Sequence, residues 1–212
     1  MSERIFLDSL LNGRASARFE SIARRIEAGE VFIYPTETIY GIGGRADNED
    51  VKRKILRAKK RKADHPMILI AGDKRAFIDF GVCFPTIAQT LAQHFWPGHL
   101  TLVLPFGNTK ETIGVRVSNH PFITELYKTL KVPIFSTSAN ISGQSYVNNP
   151  EFIFSIFEGK VNFMIDAGIL QPSLSSTVVK ILSDKKIELL REGVIPKEKI
   201  MSVIIDGISE KP

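Results

Sequence analysis

The stretch VFIYPTETIYGIGG, residues 31–44, decides how the chain is read. Val31-Phe32-Ile33-Tyr34 is a continuous apolar run of the kind that ends a buried strand, and it breaks at Pro35 into hydroxyls, a carboxylate and three glycines. Two phosphate-binding designs are excluded at once. No Gly-Lys-Ser/Thr follows the glycines, so this is not a P-loop. Gly41-x-Gly43-Gly44 leads into polar RADNED rather than an apolar helix, so it is not a dinucleotide fingerprint. One remaining reading is a strand and a turn whose glycines supply positive φ. The other is a wall facing a ligand, because Thr36, Glu37, Thr38 and Tyr40 cluster at a strand end, where α/β sheets tend to place ligands.

Outward from this stretch the pattern alternates. Phe19, Ile22, Ala23 and Ile26 recur at helical spacing before Gly29. Asn48 is a helix cap, and Val51, Ile55 and Ala58 form the inner stripe of a helix predicted to run to about Lys60. Pro66 leads into MILIA (67–71), a buried strand. A helix over 85–95, strands over 100–106 and 113–118, a helix over 120–131 and a strand over 132–136 follow. A short helix over 150–158 precedes VNFMIDA, STVVKIL and KIELLR, the last two joined across Ser183-Asp184. Strands mixed with helices, with some close strand pairs, predict one α/β domain over residues 1–212. Its sheet is expected to be mixed, open and twisted, with flanking helices.

Composition narrows the function. The chain has 212 residues, 43% of them apolar, and no run near the roughly 20 apolar residues of a membrane helix. The first thirty residues hold Arg4, Arg14, Arg18, Arg24 and Arg25, which argues against a secretory signal. The lone cysteine, Cys83, suits a reducing cytoplasm, the expected compartment. With one cysteine and four histidines no structural metal site is expected. The net charge of +5 is local. KRKILRAKKRK, residues 52–62, carries eight cations, and the remaining 20 basic and 23 acidic residues balance to −3. A basic spot favours a small polyanion at least as well as a long nucleic acid.

Three segments carry candidate chemistry besides the opening stretch. Lys59 and Arg61 sit where a helix gives way to a loop, and a point charge beside a planar fork suits a polyphosphate. FSTSANISG, residues 135–143, puts Ser136, Ser138 and Asn140 directly after a strand, where hydroxyls and backbone N–H groups bind anionic oxygens. Arg116 lies inside the apolar strand IGVRVS, where an unpaired charge is costly, so it must meet an anion, a ligand's or a structural partner's. Ser176 and Arg191 flank further strands. The inventory is one of anion binders, suited to positioning and charge stabilisation rather than nucleophilic attack.

In chain order, YPTETIYGIGG, AKKRKADHPMILIA, WPGHLTLVLP, TIGVRVSNHP, STSANISG, SSTVV and LLREG resemble the YrdC/TsaC family of L-threonylcarbamoyladenylate synthases, over residues 31–193. The resemblance implies a deep, positively charged cavity in the sheet. It also implies that L-threonine, bicarbonate and ATP are converted to threonylcarbamoyl-AMP and pyrophosphate, for N6-threonylcarbamoyladenosine at position 37 of certain tRNAs. It assigns Lys59, Arg61, Ser138 and Asn140 to catalysis and ATP binding, with Thr112 and Arg191 on the nucleotide. Thr36, Arg116, Ser136 and Ser176 fall to threonine, Arg116 taking its carboxylate. Mg²⁺ is expected to arrive on the nucleotide rather than on protein ligands. Contact with tRNA or double-stranded RNA, and hand-off to the threonylcarbamoyl-transferase complex, are the further partners implied; no membrane partner is.

Departures from the family pattern are visible too. Ala63 replaces an arginine of KGRPR-type sequences, Lys62 stands where proline is usual, and Tyr146 stands in place of a serine, so phosphate contacts are expected to shift to Lys60 or Lys62. The chain ends about twenty residues past LLREG, as in the short, single-domain form. The competing expectation is an RNA-binding YrdC/YciO-like protein without synthase activity.

Overall fold

The computed structural model describes residues 1–12, 15–61, 67–184 and 186–209. The expectations placed on Arg14, Lys62, Ala63 and Pro66 lie outside these residues. The described residues form β1 (Glu3–Phe6), α1 (Leu7–Leu11), α2 (Ala15–Glu27), β2 (Phe32–Tyr34), β3 (Gly41–Arg45), α3 (Glu49–Ala58), β4 (Ile68–Ala71), α4 (Arg75–Asp79) and α5 (Thr86–Phe95). Then come β5 (Leu100–Pro105), β6 (Thr112–Val117), α6 (Pro121–Leu126), β7 (Ile134–Ser138), α7 (Pro150–Phe157), β8 (Phe163–Asp166), β9 (Thr177–Ser183), β10 (Lys186–Arg191) and α8 (Lys197–Ser209). All the strands join one sheet in the order β1-β8-β2-β3-β7-β4-β6-β5-β9-β10. Parallel pairs (β1 with β8, β4 with β6, β5 with β9) occur together with antiparallel ones (β2 with β3, β3 with β7, β5 with β6), so the sheet is mixed and open, as the sequence predicts.

Strand periodicity divides the core in two. Ile33, Leu69, Ala71 and Val115 face one side, against Val51 and Ile55 of α3, Leu91 of α5, Phe157 of α7 and Ile200 of α8. Phe32, Tyr34, Ile70 and Ile134 face the other, against Phe19, Ile22 and Ile26 of α2 and Phe122 of α6. Burying each of these large side chains contributes about 1.5–3 kcal/mol. The helices on this second face cover only part of it. Ile70, which packs under them, is in register with Arg116 on β6, and Ile68 with Ser136 on β7. Arg116, Ser136 and Ser138 therefore project from the second face. The site grows there.

Two expectations about the opening stretch are corrected. Gly41, Gly43 and Gly44 form no turn and have no positive φ; they make β3, paired with β2 on one side and β7 on the other. The reason is close approach. A Cβ on Gly43 would stand 2.5 Å from the Phe135 carbonyl oxygen and 2.8 Å from Tyr34 Cε1, because the Tyr34 ring lies flat across the strand. Likewise β7 runs two residues past the predicted end at 136, so Ser138, like Ser136, belongs to the strand and not to a loop after it.

Candidate active site

Two cavities adjoin where α3 and β7 end, and they share Arg61 and Ser138. One, of about 280 Å³, is lined among others by Thr36, Thr38, Ile39, Arg116, Ser136, Ser176 and Arg191. The other, of about 490 Å³, is lined by Lys59, Lys60, Arg61, Ser138, Asn140, Ser142 and Gly143. Neither lining includes a carboxylate, so among the described residues both are walls of cations, hydroxyls and amides. Nine of the ten residues predicted for substrate binding line these cavities directly, Ser176 and Arg191 joining Arg116 from the β9–β10 end of the sheet. Thr112 alone stands apart: it is exposed at the start of β6, on the same strand face as Arg116, and lines neither cavity.

The larger cavity is built by the end of α3. Lys59 caps the helix, Lys60 takes a left-handed backbone (φ 54°), and two reversed bonds close the turn: Lys60 N–H to Arg57 O at 3.0 Å and Arg61 N–H to Leu56 O at 2.9 Å. The helix thus stops at Ala58. Arg61 leaves the helix by this turn, at the helix-to-loop junction where the sequence places it. Lys59 is 2% exposed. Its Nζ donates to Ser138 O, to Asn140 O at 2.8 Å and to Asn140 Oδ1 at 3.3 Å, with no carboxylate among these partners. Burial, and secondarily the neighbouring Arg61, push its pKa down to about 8. Arg61 donates to Thr137 Oγ1 at 2.9 Å, and burial lowers its pKa as well. Two desolvated cations side by side are stabilised by an arriving anion. The Ser138 hydroxyl donates to Asn140 Oδ1, while Asn140 Nδ2 reaches Gln144 O at 2.6 Å, which curls the following loop round the lysine. Tyr146, which stands in place of a serine of the family pattern, accepts a bond from Tyr40 N at 3.0 Å and clasps this loop to the start of β3.

In the smaller cavity Arg116 is buried and meets an anion of the protein itself: Nη1 lies 3.3 Å from Glu37 Oε1. The other Glu37 oxygen accepts from Ser118 Oγ at 2.6 Å, and Ser118 Oγ accepts from His120 N at 3.2 Å. The pair is not saturated. Arg116 Nε and Glu37 Oε1 are both buried without a hydrogen bond, and a buried guanidinium N–H beside a cavity calls for an acceptor. The sequence leaves open whether Arg116 meets a structural or a ligand anion; it has the structural one and retains a donor. Ser136 Oγ accepts from Tyr34 OH at 2.7 Å. Ser176 Oγ lies 2.8 Å from Thr101 Oγ1 and accepts from Arg191 Nη2 at 3.2 Å, while Arg191 Nε donates to Ser176 O at 3.1 Å. Burial, and then Arg116, lower the Arg191 pKa.

The Thr36 hydroxyl is engaged locally. It donates to Ile39 O at 2.7 Å and accepts from Thr38 N and Ile39 N, both at 3.2 Å, so it shapes the wall it belongs to. Ser118 and Tyr34 are not marked by the sequence as site residues, and Glu37, marked only as part of the strand-end cluster, is not marked as the partner of Arg116. Their partners lie 81 to 102 residues away, beyond any local signal. The basic spot is also less open than its composition suggests. Arg53 and Lys52 pair with Asp50 and Glu49 on the helix surface, and Lys59 and Arg61 turn inward.

Comparisons with known proteins follow the same lines. A family model named for Sua5, YciO and YrdC and described as "Telomere recombination" matches residues 24–193. A threonylcarbamoyl-AMP synthase of Bacillus subtilis is 35% identical over 191 residues, covering 86% of this chain and 55% of the relative. A putative threonylcarbamoyl-AMP synthase of Methanocaldococcus jannaschii is 35% identical over 187 residues, covering 85% and 88%. Among solved structures, Sua5 of Pyrococcus abyssi complexed with L-threonine superposes with a TM-score of 0.83 at 31% identity, over 96% of this chain and 61% of that one. YciO of Escherichia coli, at 22% identity and a TM-score of 0.79, shares the fold. The chain spans a little over half the length of the Bacillus relative.

Proposed function

We propose that this chain, which belongs to the Sua5/YciO/YrdC family, makes L-threonylcarbamoyladenylate from L-threonine, bicarbonate and ATP, as a nucleotidyltransferase that releases pyrophosphate. The observation that carries the reading is the junction of the two cavities at Arg61 and Ser138. The smaller cavity offers a buried guanidinium with an unfilled donor, suited to an amino-acid carboxylate. The larger one has no described residue but hydroxyls, amides, glycine and cations, suited to a triphosphate.

In this reading Arg116, Ser136 and Ser176, with the Thr36 wall, hold L-threonine by its carboxylate. Its amine takes up bicarbonate, losing water, to give an N-carboxylate. That carboxylate lies at the junction, where one of its oxygens attacks the α-phosphorus of ATP as the bond to the β-phosphate oxygen breaks and pyrophosphate leaves. Lys59, Arg61, Ser138 and Asn140 hold the phosphates in line and neutralise the charge that accumulates, which is the main demand of phosphoryl chemistry. Arg191, which lines the smaller cavity, is assigned to the nucleotide across the junction, and Thr112, which lines neither cavity, is given no contact. Among the described residues neither lining includes a carboxylate, and in this reading Mg²⁺ arrives as part of the nucleotide substrate, held by its phosphates. Use of the product in tRNA modification, by a transferase that accepts it in the cytoplasm, completes the proposal.

The reading is tested by pyrophosphate release with each substrate omitted in turn. Release that requires L-threonine, bicarbonate and ATP together supports it. Salt-sensitive RNA binding with no such release would replace it with the RNA-binding reading.

A further inference from the structure

We infer that Tyr34 is a positioning residue that turns Ser136 into a dedicated hydrogen-bond donor, and so selects a carboxylate over an ammonium or amide N–H at this point of the cavity. The inference rests on the reading that L-threonine occupies the Arg116 cavity. Tyr34 is fully buried, its ring held between Phe32 at 5.0 Å and Phe122 at 6.2 Å between centroids. Its hydroxyl has one partner among the described residues, Ser136 Oγ at 2.7 Å, and it donates. Burial raises the Tyr34 pKa, so the phenol keeps its proton for that bond.

A serine hydroxyl has one proton to give. Having accepted from Tyr34, Ser136 Oγ has no described protein acceptor for its own proton, and it lines the cavity that Arg116 also lines. The open direction is the cavity. The glycines of β3 make the arrangement sterically feasible: a Cβ on Gly41 would meet both Ser136 Oγ and Tyr34 Cζ at 3.3 Å, and one on Gly43 would collide with the ring. The glycine strand, the aromatic ring and the serine are thus one device. It presents an O–H donor to the cavity that Arg116, with its unfilled Nε–H, also lines, so a carboxylate there is offered donors rather than acceptors. Polarised by the phenol, the serine is also a stronger donor than an isolated hydroxyl.

The test is calorimetric titration of L-threonine and of L-threoninamide into wild type, Tyr34→Phe, Ser136→Ala and the double variant, with ATP binding as the control for folding. Tyr34→Phe keeps the ring. It is expected to weaken L-threonine about five- to tenfold, with Ser136→Ala weakening it about tenfold or more. The double variant should match Ser136→Ala alone, because without the serine the phenol has nothing to orient. The preference for L-threonine over its amide should narrow in Tyr34→Phe. Wild type that binds L-threonine, with Tyr34→Phe unchanged or the two effects additive, overturns the inference and leaves the proposed function standing. Wild type that binds no L-threonine overturns the proposed function and this inference with it.

Discussion

Replacing Lys59 by methionine should make the protein more stable while disabling it. The ammonium is 2% exposed and its described partners are the oxygens of Ser138 and Asn140, with no carboxylate among them. Its pKa is about 8 in the fold against an ordinary 10.5, so keeping it charged at pH 7 costs the native state about 3 kcal/mol. Methionine fills the same space without that cost. The abandoned carbonyls face a wet cavity, and losing their donor takes back about 1 kcal/mol. The net gain is about 2 kcal/mol, or about 6 °C in Tm for a chain of this size. ATP affinity should fall by about 10–100-fold, the usual contribution of a charge-assisted phosphate contact. Between pH 8 and 10.5 the unfolded state carries the extra proton, so wild-type stability rises with pH and the advantage of Lys59→Met shrinks. Chemical denaturation at pH 7, 8.5 and 10, with ATP titration alongside, measures all three quantities. A variant less stable than wild type at pH 7, or a gap that does not change with pH, would refute the reasoning. Lys59 would then be a structural clasp for its loop.

Lys60→Gly should raise Tm by about 3 °C, because glycine relieves about 1 kcal/mol of left-handed strain at the end of α3; an unchanged or lower Tm counts against that turn. The same variant's affinity for ATP reports whether Lys60 takes part in phosphate binding. Gly43→Ala should destabilise by about 3 kcal/mol or more, since its Cβ has no room beside Phe135 O and Tyr34, and normal unfolding behaviour would contradict the packing described. His120 is held near pKa 4 chiefly by burial, with Glu37 opposing the shift. The unfolded ring protonates near 6.5, so folding stability is lost as pH falls from about 6.5 towards 4, by up to about 3 kcal/mol. His120→Asn keeps a cap acceptor for Phe122 N and should flatten that acid limb. An equally steep limb in the variant would place the titration elsewhere.

Much of this was legible locally, and the reasons for the rest are physical. Period-two alternation gives away β5, β6, β9 and β10, and the Asn48 cap with its Val51/Ile55 stripe gives away α3. Strand β3 is illegible from pattern, because glycine has low strand propensity and the need for it comes from Tyr34 and Phe135 packing over it. The predicted turn and the predicted loop serines share that cause: both belong to strands fixed by pairing between β3 and β7, about ninety residues apart in the chain. Arg116 could be read as a charge needing an anion, but not that Glu37 would supply it and leave a donor over. Lys59 and Arg61 were legible as a pair. Their inward course depends on the left-handed Lys60, which no sequence rule favours at a non-glycine position.

The central claim is that two adjoining subsites divide the substrates, with Arg116 and Ser136 on the amino acid and Lys59 and Asn140 on the phosphates. Titrating L-threonine and ATP separately into Arg116→Ala and Lys59→Met tests it most directly. The account predicts a double dissociation. Arg116→Ala loses L-threonine by about 10-fold or more and keeps ATP within about twofold, and Lys59→Met does the reverse. If Arg116→Ala instead lost ATP while retaining L-threonine, the division of the cavity described here would be wrong.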